Sequence, residues 1–220
     1  MLNLIVIVIL SYLVGSIPTS ILMSRWVKNI DIRNYGSGNA GGTNVMRVLG
    51  WKYGVVVILL DAFKGAFAVI LIARLYLGSF PFPNATPFDD FTLVQIIAGL
   101  AAVLGHIWTI FADFKGGKGI ATALGFLITL ITVDMLLAIA VFIVVVSISR
   151  YISLGSILAA ISVPLIIVVR ENIFGAQIQG YHTILPFCVL IALIVIYTHR
   201  SNLLRLINGK ENRINFFKKK

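Results

Sequence analysis

Three polar segments of this chain carry residue types suited to holding negatively charged oxygen. The first, GSGNAGGTNVMRVLG (residues 36–50), places four glycines within seven residues and follows them with Thr43, Asn44 and Arg47. Glycine tolerates positive φ and close backbone approach, so successive N–H groups can surround an anion. Ser37, Asn39 and Asn44 add neutral donors, and the Arg47 guanidinium adds a fork of fixed charge. That set suits a phosphate; a flexible loop with a topogenic arginine is the plainer reading. Gly36, Gly38 and Gly41 also match G-x-G-x-x-G, but no strand precedes them and no βαβ unit surrounds them, which argues against a dinucleotide site.

The second segment, FKGGKGIAT (residues 114–122), sets Lys115 and Lys118 around two glycines just before a helix start. Helix N-termini attract anions through unpaired N–H groups and the dipole. It is not a Walker A loop, because Gly119 follows Lys118 where Ser or Thr would stand. A topogenic cluster around a tight turn fits the residues equally well. The third, YTHRSNLLRLINGKENR (residues 197–213), brings His199, Arg200 and Asn202 within one helical turn, where an apolar run ends. His199 suits a base, a proton relay or a phosphate donor. An interfacial histidine with topogenic arginines is the alternative.

Two charges sit inside an apolar run. Asp61 and Lys64 are spaced i,i+3, on one helical face. Lys64 lies ~15 Å into a helix starting at Gly54, at a rise of ~1.5 Å per residue. A charge at mid-bilayer costs ~2.5–3.5 kcal/mol, so both should face the protein interior as a pair. The pair serves structure or supports the site. His106, at the end of another run, reads as a structural histidine, while Gln95, Asp134 and His182 carry little signal. There is no G-x-S-x-G, no H-x-x-x-x-D (His106 and Asp113 are seven apart) and no metal cage. A covalent acyl-enzyme is therefore not indicated. Cys188, the single cysteine, falls in an apolar run and reads as filler.

The elements that must position these residues are membrane helices. Of 220 residues, 59% are hydrophobic and 12% charged, too little charge for a soluble domain of this length. Apolar runs occupy residues 2–23, 54–77, 91–111, 120–148, 154–169 and 183–197, several approaching the ~20 residues needed to cross ~30 Å of hydrocarbon. The N-terminal run lacks a cationic leader, with Arg25 and Lys28 after it, so it reads as a retained span. Loop 79–90, rich in Pro, Asn and Asp, breaks helices. Run 120–148 is long for one span and short for two. Two short spans turning near Thr132 and Asp134 give seven in all, with the N-terminus outside and the C-terminus cytoplasmic. Arg25, Lys28, Arg33, Arg47, Lys52, Lys115, Lys118, Arg150 and the tail residues Arg200, Arg205, Lys210, Arg213, Lys218, Lys219 and Lys220 then share the cytoplasmic face, leaving Arg170 outside. This fits the positive-inside rule better than a single span does. The expected fold is all-α, one membrane domain over residues 1–220. The net charge of +10 lies in loops rather than on one soluble face, which argues against nucleic acid.

At these residues the chain resembles the bacterial membrane glycerol-3-phosphate acyltransferases that use acyl phosphate, the PlsY family. The likeness runs through YLVGSIPTS (12–20), IRNYGSGNAGGTNVMRVLG (32–50), LLDAFKG (59–65), GHIWTIFADFKGGKGIATALG (105–125), RYISLGSI (150–157) and the 197–213 segment. The resemblance implies a multi-pass protein of the bacterial cytoplasmic membrane with its active site facing the cytoplasm. It implies acyl transfer from acyl phosphate to the 1-hydroxyl of glycerol 3-phosphate, giving 1-acylglycerol 3-phosphate and phosphate for phospholipid synthesis. It implies no cofactor and no metal; membrane lipid is the surrounding partner, and nothing is implied about protein partners. On this reading Ser37, Gly38, Asn39, Arg47, Lys115, Lys118, His199 and Arg200 bind substrate, with Ser153 added by the match. His199, Asn202, Asn44 and Lys118 carry the chemistry, the asparagines orienting hydroxyls or polarising the acyl carbonyl. The attacking hydroxyl's proton goes to His199 or to a substrate phosphate oxygen. Thr109 stands where the family usually has proline. Two rivals remain from the residues alone. A small membrane transporter of phosphorylated anions also uses broken helices and intramembrane charge, although no inverted repeat is visible. A structural assembly subunit explains the hydrophobicity but not three anion-suited loops.

Overall fold

The computed structural model describes residues 2–78, 83–178 and 180–214. Residues 79–82 of the helix-breaking loop and Lys218, Lys219 and Lys220 of the basic tail lie outside the described residues. Among the described residues all regular structure is helical. Six helical segments are long and apolar enough to cross a membrane: Asn3–Lys28, Trp51–Leu75, Asp90–Ala112, Thr132–Ser149, Ile152–Asn172 and Tyr181–Thr198. The expected break in run 120–148 falls at residues 128–131, between α6 (Ile120–Leu127) and α7 (Thr132–Ser149). Helix α6 has eight residues, about 12 Å at 1.5 Å per residue, so it does not cross the hydrocarbon by itself. The seventh expected span is therefore a short helix. The chain forms two compact units, Met1–Ile131 and Thr132–Lys220.

In the first unit the opening span is not continuous. Helix α1 (Leu2–Ser16) stops and α2 (Thr19–Lys28) begins after Pro18. Proline has no N–H and disfavours helix in the preceding residue, so the ladder breaks here. The carbonyls of Ser16 and Ile17 at this break are met by side chains of other segments, Ile17 also accepting from the Thr19 N–H at 3.0 Å. Lys64 donates to the Ile17 carbonyl at 3.1 Å, and the Thr109 hydroxyl donates to that of Ser16.

Helices α3 (Gly42–Leu49), α4 (Trp51–Ile70), α5 (Asp90–Ile107) and α6 complete this unit. Its core joins Ile7 of α1, Ala68 of α4 and Val94, Ala98 and Ala102 of α5, all fully buried. Small residues allow backbones to approach where lipid offers no hydrophobic drive. Helices α4 and α6 show it: a methyl group on Gly65 would collide with the Thr122 carbonyl, and one on Gly125 with that of Ala62. Leu59 and Phe63 turn outward from α4, whereas Asp61 and Lys64 turn inward, as their spacing requires.

The second unit comprises α7, α8 (Ile152–Asn172), α9 (Tyr181–Thr198) and α10 (Arg200–Ile207). Arg170 near the end of α8 pairs with buried Asp134 in the first turn of α7 at 2.8 Å. The pair fixes these two helices as antiparallel neighbours. Asp134 carried little signal in the sequence because its partner is 36 residues away.

Candidate functional site

The loop after α2 is folded around one side chain. Asn44, in the first turn of α3, is 1% exposed. Its Oδ1 accepts from the Ser37 N–H at 2.8 Å, and its Nδ2 donates to the carbonyls of Ile32, Tyr35 and Asn39 at 3.1, 2.9 and 3.1 Å. A carboxamide, with a donor end and an acceptor end, is the one planar group that can satisfy this arrangement. Gly36 and Gly38 turn the chain at φ 61° and 74°. The structure thus commits Asn44 to shaping the loop on which Ser37, Gly38 and Asn39 stand. Arg47 is exposed in the last turn of α3.

At the loop's start, Asp31 caps a short 3-10 turn and grips Arg33, with Nη2–Oδ2 2.7 Å. The Arg33 side chain bonded to it lowers the Asp31 carboxyl below its ordinary pKa, and Asp31 in turn raises that of Arg33. Arg33 also donates to the Ala112 carbonyl at 3.0 Å, tying the loop to the segment that precedes Lys115.

That segment turns sharply. After α5, Thr109 has φ −72°, within the range a proline ring imposes, and its hydroxyl accepts from the Phe111 N–H at 3.3 Å. Together with its bond to Ser16, this makes the turn without proline. Asp113 and Phe114 follow at φ 56°. The Gly116 and Gly117 N–H groups then donate to the carbonyls of Ile107 and His106, both at 3.0 Å. A methyl group on Gly117 would overlap His106 Nε2 and come within 2.8 Å of the Ala40 carbonyl. The two glycine-rich loops therefore meet at Gly117 and Ala40, directly over His106. Lys118 is half-buried, Lys115 exposed, and Gly119 starts α6 at φ 81°.

Beneath the loops lies a buried polar cluster that spacing alone only half revealed. Asp61 Oδ1 meets Lys64 Nζ at 2.8 Å, the Thr19 hydroxyl at 2.6 Å and His106 Nδ1 at 3.4 Å. The Asp61–Lys64 pair was legible as i,i+3. Thr19 and His106 join from other helices, so no local pattern announces them.

In the second unit, His199 joins α9 to α10 and is 3% exposed. Its Nδ1 lies 2.8 Å from the Val195 carbonyl. A carbonyl only accepts, so Nδ1 carries the hydrogen and neutral His199 keeps its basic lone pair on Nε2. Asn202 donates to Glu211 Oε1 at 2.9 Å, and Arg205 holds the other oxygen at 2.8 Å. Glu211, unnoticed in the sequence because it lies beyond the helix, thus anchors Asn202. Exposed Arg200 stacks on Tyr197, 4.6 Å from the ring centroid. Ser153, in the first turn of α8, is buried, and its hydroxyl has no hydrogen-bond partner among the described residues. A hydroxyl kept dry and unpaired is a costly arrangement unless something else binds there. Among the described residues no three His, Cys, Asp or Glu side chains are grouped so as to hold a metal ion.

The model of the family described as "Glycerol-3-phosphate acyltransferase" matches residues 5–209. The chain is 47% identical over 238 residues to the glycerol-3-phosphate acyltransferase of Chlorobaculum tepidum, covering 100% of both chains. It is 46% identical over 237 residues to that of Chlorobium phaeobacteroides, covering 98% of each. Among solved structures it is similar to the glycerol 3-phosphate form of PlsY, an integral membrane glycerol 3-phosphate acyltransferase, with TM-score 0.79, 37% identity and 96% of each chain covered. It is also similar to the lysophosphatidic acid form, with TM-score 0.77, 36% identity and coverage of 96% and 95%.

Proposed function

The chain belongs to the glycerol-3-phosphate acyltransferase family, and from that premise we propose that it transfers a fatty acyl group from acyl phosphate to the 1-hydroxyl of sn-glycerol 3-phosphate. The hydroxyl oxygen attacks the acyl carbonyl, the acyl–phosphate bond breaks, and 1-acyl-sn-glycerol 3-phosphate and inorganic phosphate leave. The observation that carries this reading is the meeting of the two glycine-rich loops at Gly117 and Ala40, which supports one anion site served by both loops.

Both substrates carry phosphate and the donor is already activated, so positioning and charge stabilisation are the enzyme's main tasks. Ser37, Gly38, Asn39, Arg47, Lys115 and Lys118 are proposed to hold phosphate, with Asn44 fixing their loop. His199 and Arg200 are proposed to bind substrate, with Asn202 orienting a hydroxyl or polarising the acyl carbonyl; Ser153 joins them by the family match, and its unpaired hydroxyl supports its part. The Val195 bond to Nδ1 favours His199 Nε2 as acceptor of the attacking hydroxyl's proton. The lysines and arginines of loops 24–53 and 112–119 support a cytoplasmic placement for both loops, and the basic tail supports the same for the C-terminus, in the bacterial cytoplasmic membrane.

The test is transfer by purified protein to labelled glycerol 3-phosphate, with acyl phosphate, acyl-CoA and acyl carrier protein thioester compared as donors. Product with acyl phosphate alone is expected. Product with acyl-CoA and none with acyl phosphate overturns the donor assignment.

A further inference from the structure

A cavity lined by two arginines lies in the first unit, outside the proposed phosphate loops. It has a volume of about 370 Å³, and none of Ser37, Gly38, Asn39, Asn44, Arg47, Lys115 or Lys118 lines it. One wall is apolar, including Ile17, Leu22 and Phe111, which are 42%, 52% and 59% exposed. In a chain built of membrane spans, apolar side chains so exposed suit contact with lipid chains. The other end carries Arg25, Arg33 and Asp113.

The layout follows α2 from its apolar start to its charged end. Pro18, Leu22 and Arg25 fall on one helical stripe, with Arg25 in the last turn, where the first span ends. Trp26, next to Arg25 in sequence, is 83% exposed, as aromatic side chains are at the headgroup level. Arg33 is held in place: Nε and Nη2 on Asp31, and Nη1 on the Ala112 carbonyl. Three of its five N–H groups are thus engaged among the described residues, and the remaining two stay fixed in direction. Asp113, 85% exposed and 4.0 Å from Arg33 Nη1, is a weak competitor, since exposed pairs at that distance contribute little.

We propose that this cavity binds the headgroup phosphate of an anionic phospholipid from the surrounding bilayer, with an acyl chain along Ile17, Leu22 and Phe111. Basic pockets between membrane helices favour anionic lipid by charge. The apolar wall selects a lipid over a free anion, which would gain nothing from it. The proposal is independent of the catalytic reading, and its test reads binding alone.

Full-length protein in neutral detergent is titrated with phosphatidylglycerol, phosphatidylcholine and inorganic phosphate, and adducts are followed by native mass spectrometry. Arg25 is exposed, so Arg25→Gln should leave the fold intact, which circular dichroism checks. The expected result is preference for phosphatidylglycerol over phosphatidylcholine. Arg25→Gln should weaken the tightest phosphatidylglycerol adduct about fivefold, the worth of one surface cation, and inorganic phosphate should not displace the lipid. Equal binding of the two lipids, or an unchanged affinity in Arg25→Gln, overturns the proposal. Displacement by equimolar inorganic phosphate also overturns it, by making the site one for free anions.

Discussion

Replacing Asp61 by Asn keeps the side chain's shape and removes its charge. Asp61 is 2% exposed and its Oδ1 faces Lys64 Nζ at 2.8 Å, with Thr19 and His106 on the same oxygen. The variant leaves the Lys64 ammonium, 5% exposed, without its counter-charge. Breaking a buried pair from one side costs about 3–5 kcal/mol. For a chain of this size each kcal/mol shifts Tm by roughly 2–4 °C, so Asp61→Asn should lower it by about 6–20 °C. The pair itself is worth far less than this loss, because ionising both partners away from water nearly offsets their attraction. Asp61→Asn combined with Lys64→Met should therefore recover more than half of the lost Tm, although two conserved-size side chains have changed. The assay is thermal unfolding of detergent-purified protein by intrinsic fluorescence, with both singles and the double compared. A double variant whose loss equals the sum of the singles refutes the account, as does an Asp61→Asn variant within 2 °C of the parent.

Asn44→Asp turns a donor nitrogen into an oxygen facing three carbonyls. Acyl transfer should fall about 100-fold through loop misplacement, and kcat/KM within threefold of the parent would refute Asn44's positioning role. Gly117→Ala should cost about 1–3 kcal/mol by overpacking against His106 and Ala40, whereas Gly78→Ala, with nothing within 4 Å of the new methyl, should stay within about 0.5 kcal/mol; unfolding midpoints decide. His199→Gln should lower turnover about 100-fold or more, measured as kcat at saturating substrates, and normal kcat would remove it as the base. The lowered pKa of Asp31 contributes stability that is present above its unfolded pKa of about 3.9 and lost as pH falls through its lower folded value. Tm should therefore show no contribution from this pair's titration between pH 5 and 8. Below about pH 4 the parent should lose the Asp31 contribution, which Asp31→Asn lacks throughout, so the gap between their Tm values narrows.

What the sequence makes legible is what local spacing encodes. Apolar runs mark the spans, the glycine clusters mark both loops, and the polar residues near Thr132 mark the break before α7. The i,i+3 spacing of Asp61 and Lys64 gives the pair. Contacts between distant segments are not written this way. Thr19 and Asp61 are 42 residues apart, and Thr109 and Ser16 are 93 apart. Asn44 shares its chemistry with half-buried Ser37 and Asn39; its burial, which sequence does not show, separates it from them. Pro18 gives no signal inside an otherwise continuous apolar run, since hydropathy averages over a single residue.

The interruption at Pro18 also bears on how the protein is made. The first span enters the bilayer with its helix broken at Ser16 and Ile17, whose carbonyls take side-chain donors from later segments, and α4 enters with a lysine and an aspartate that lipid repels. Each supplies what the other lacks, and α5 brings Thr109 and His106 to the same spot. Neither segment is stable if released sideways before the others arrive. The chain's first three long segments should therefore leave the translocon as a group, so that a pause in synthesis before residue 107 would strand an incomplete and degradable intermediate.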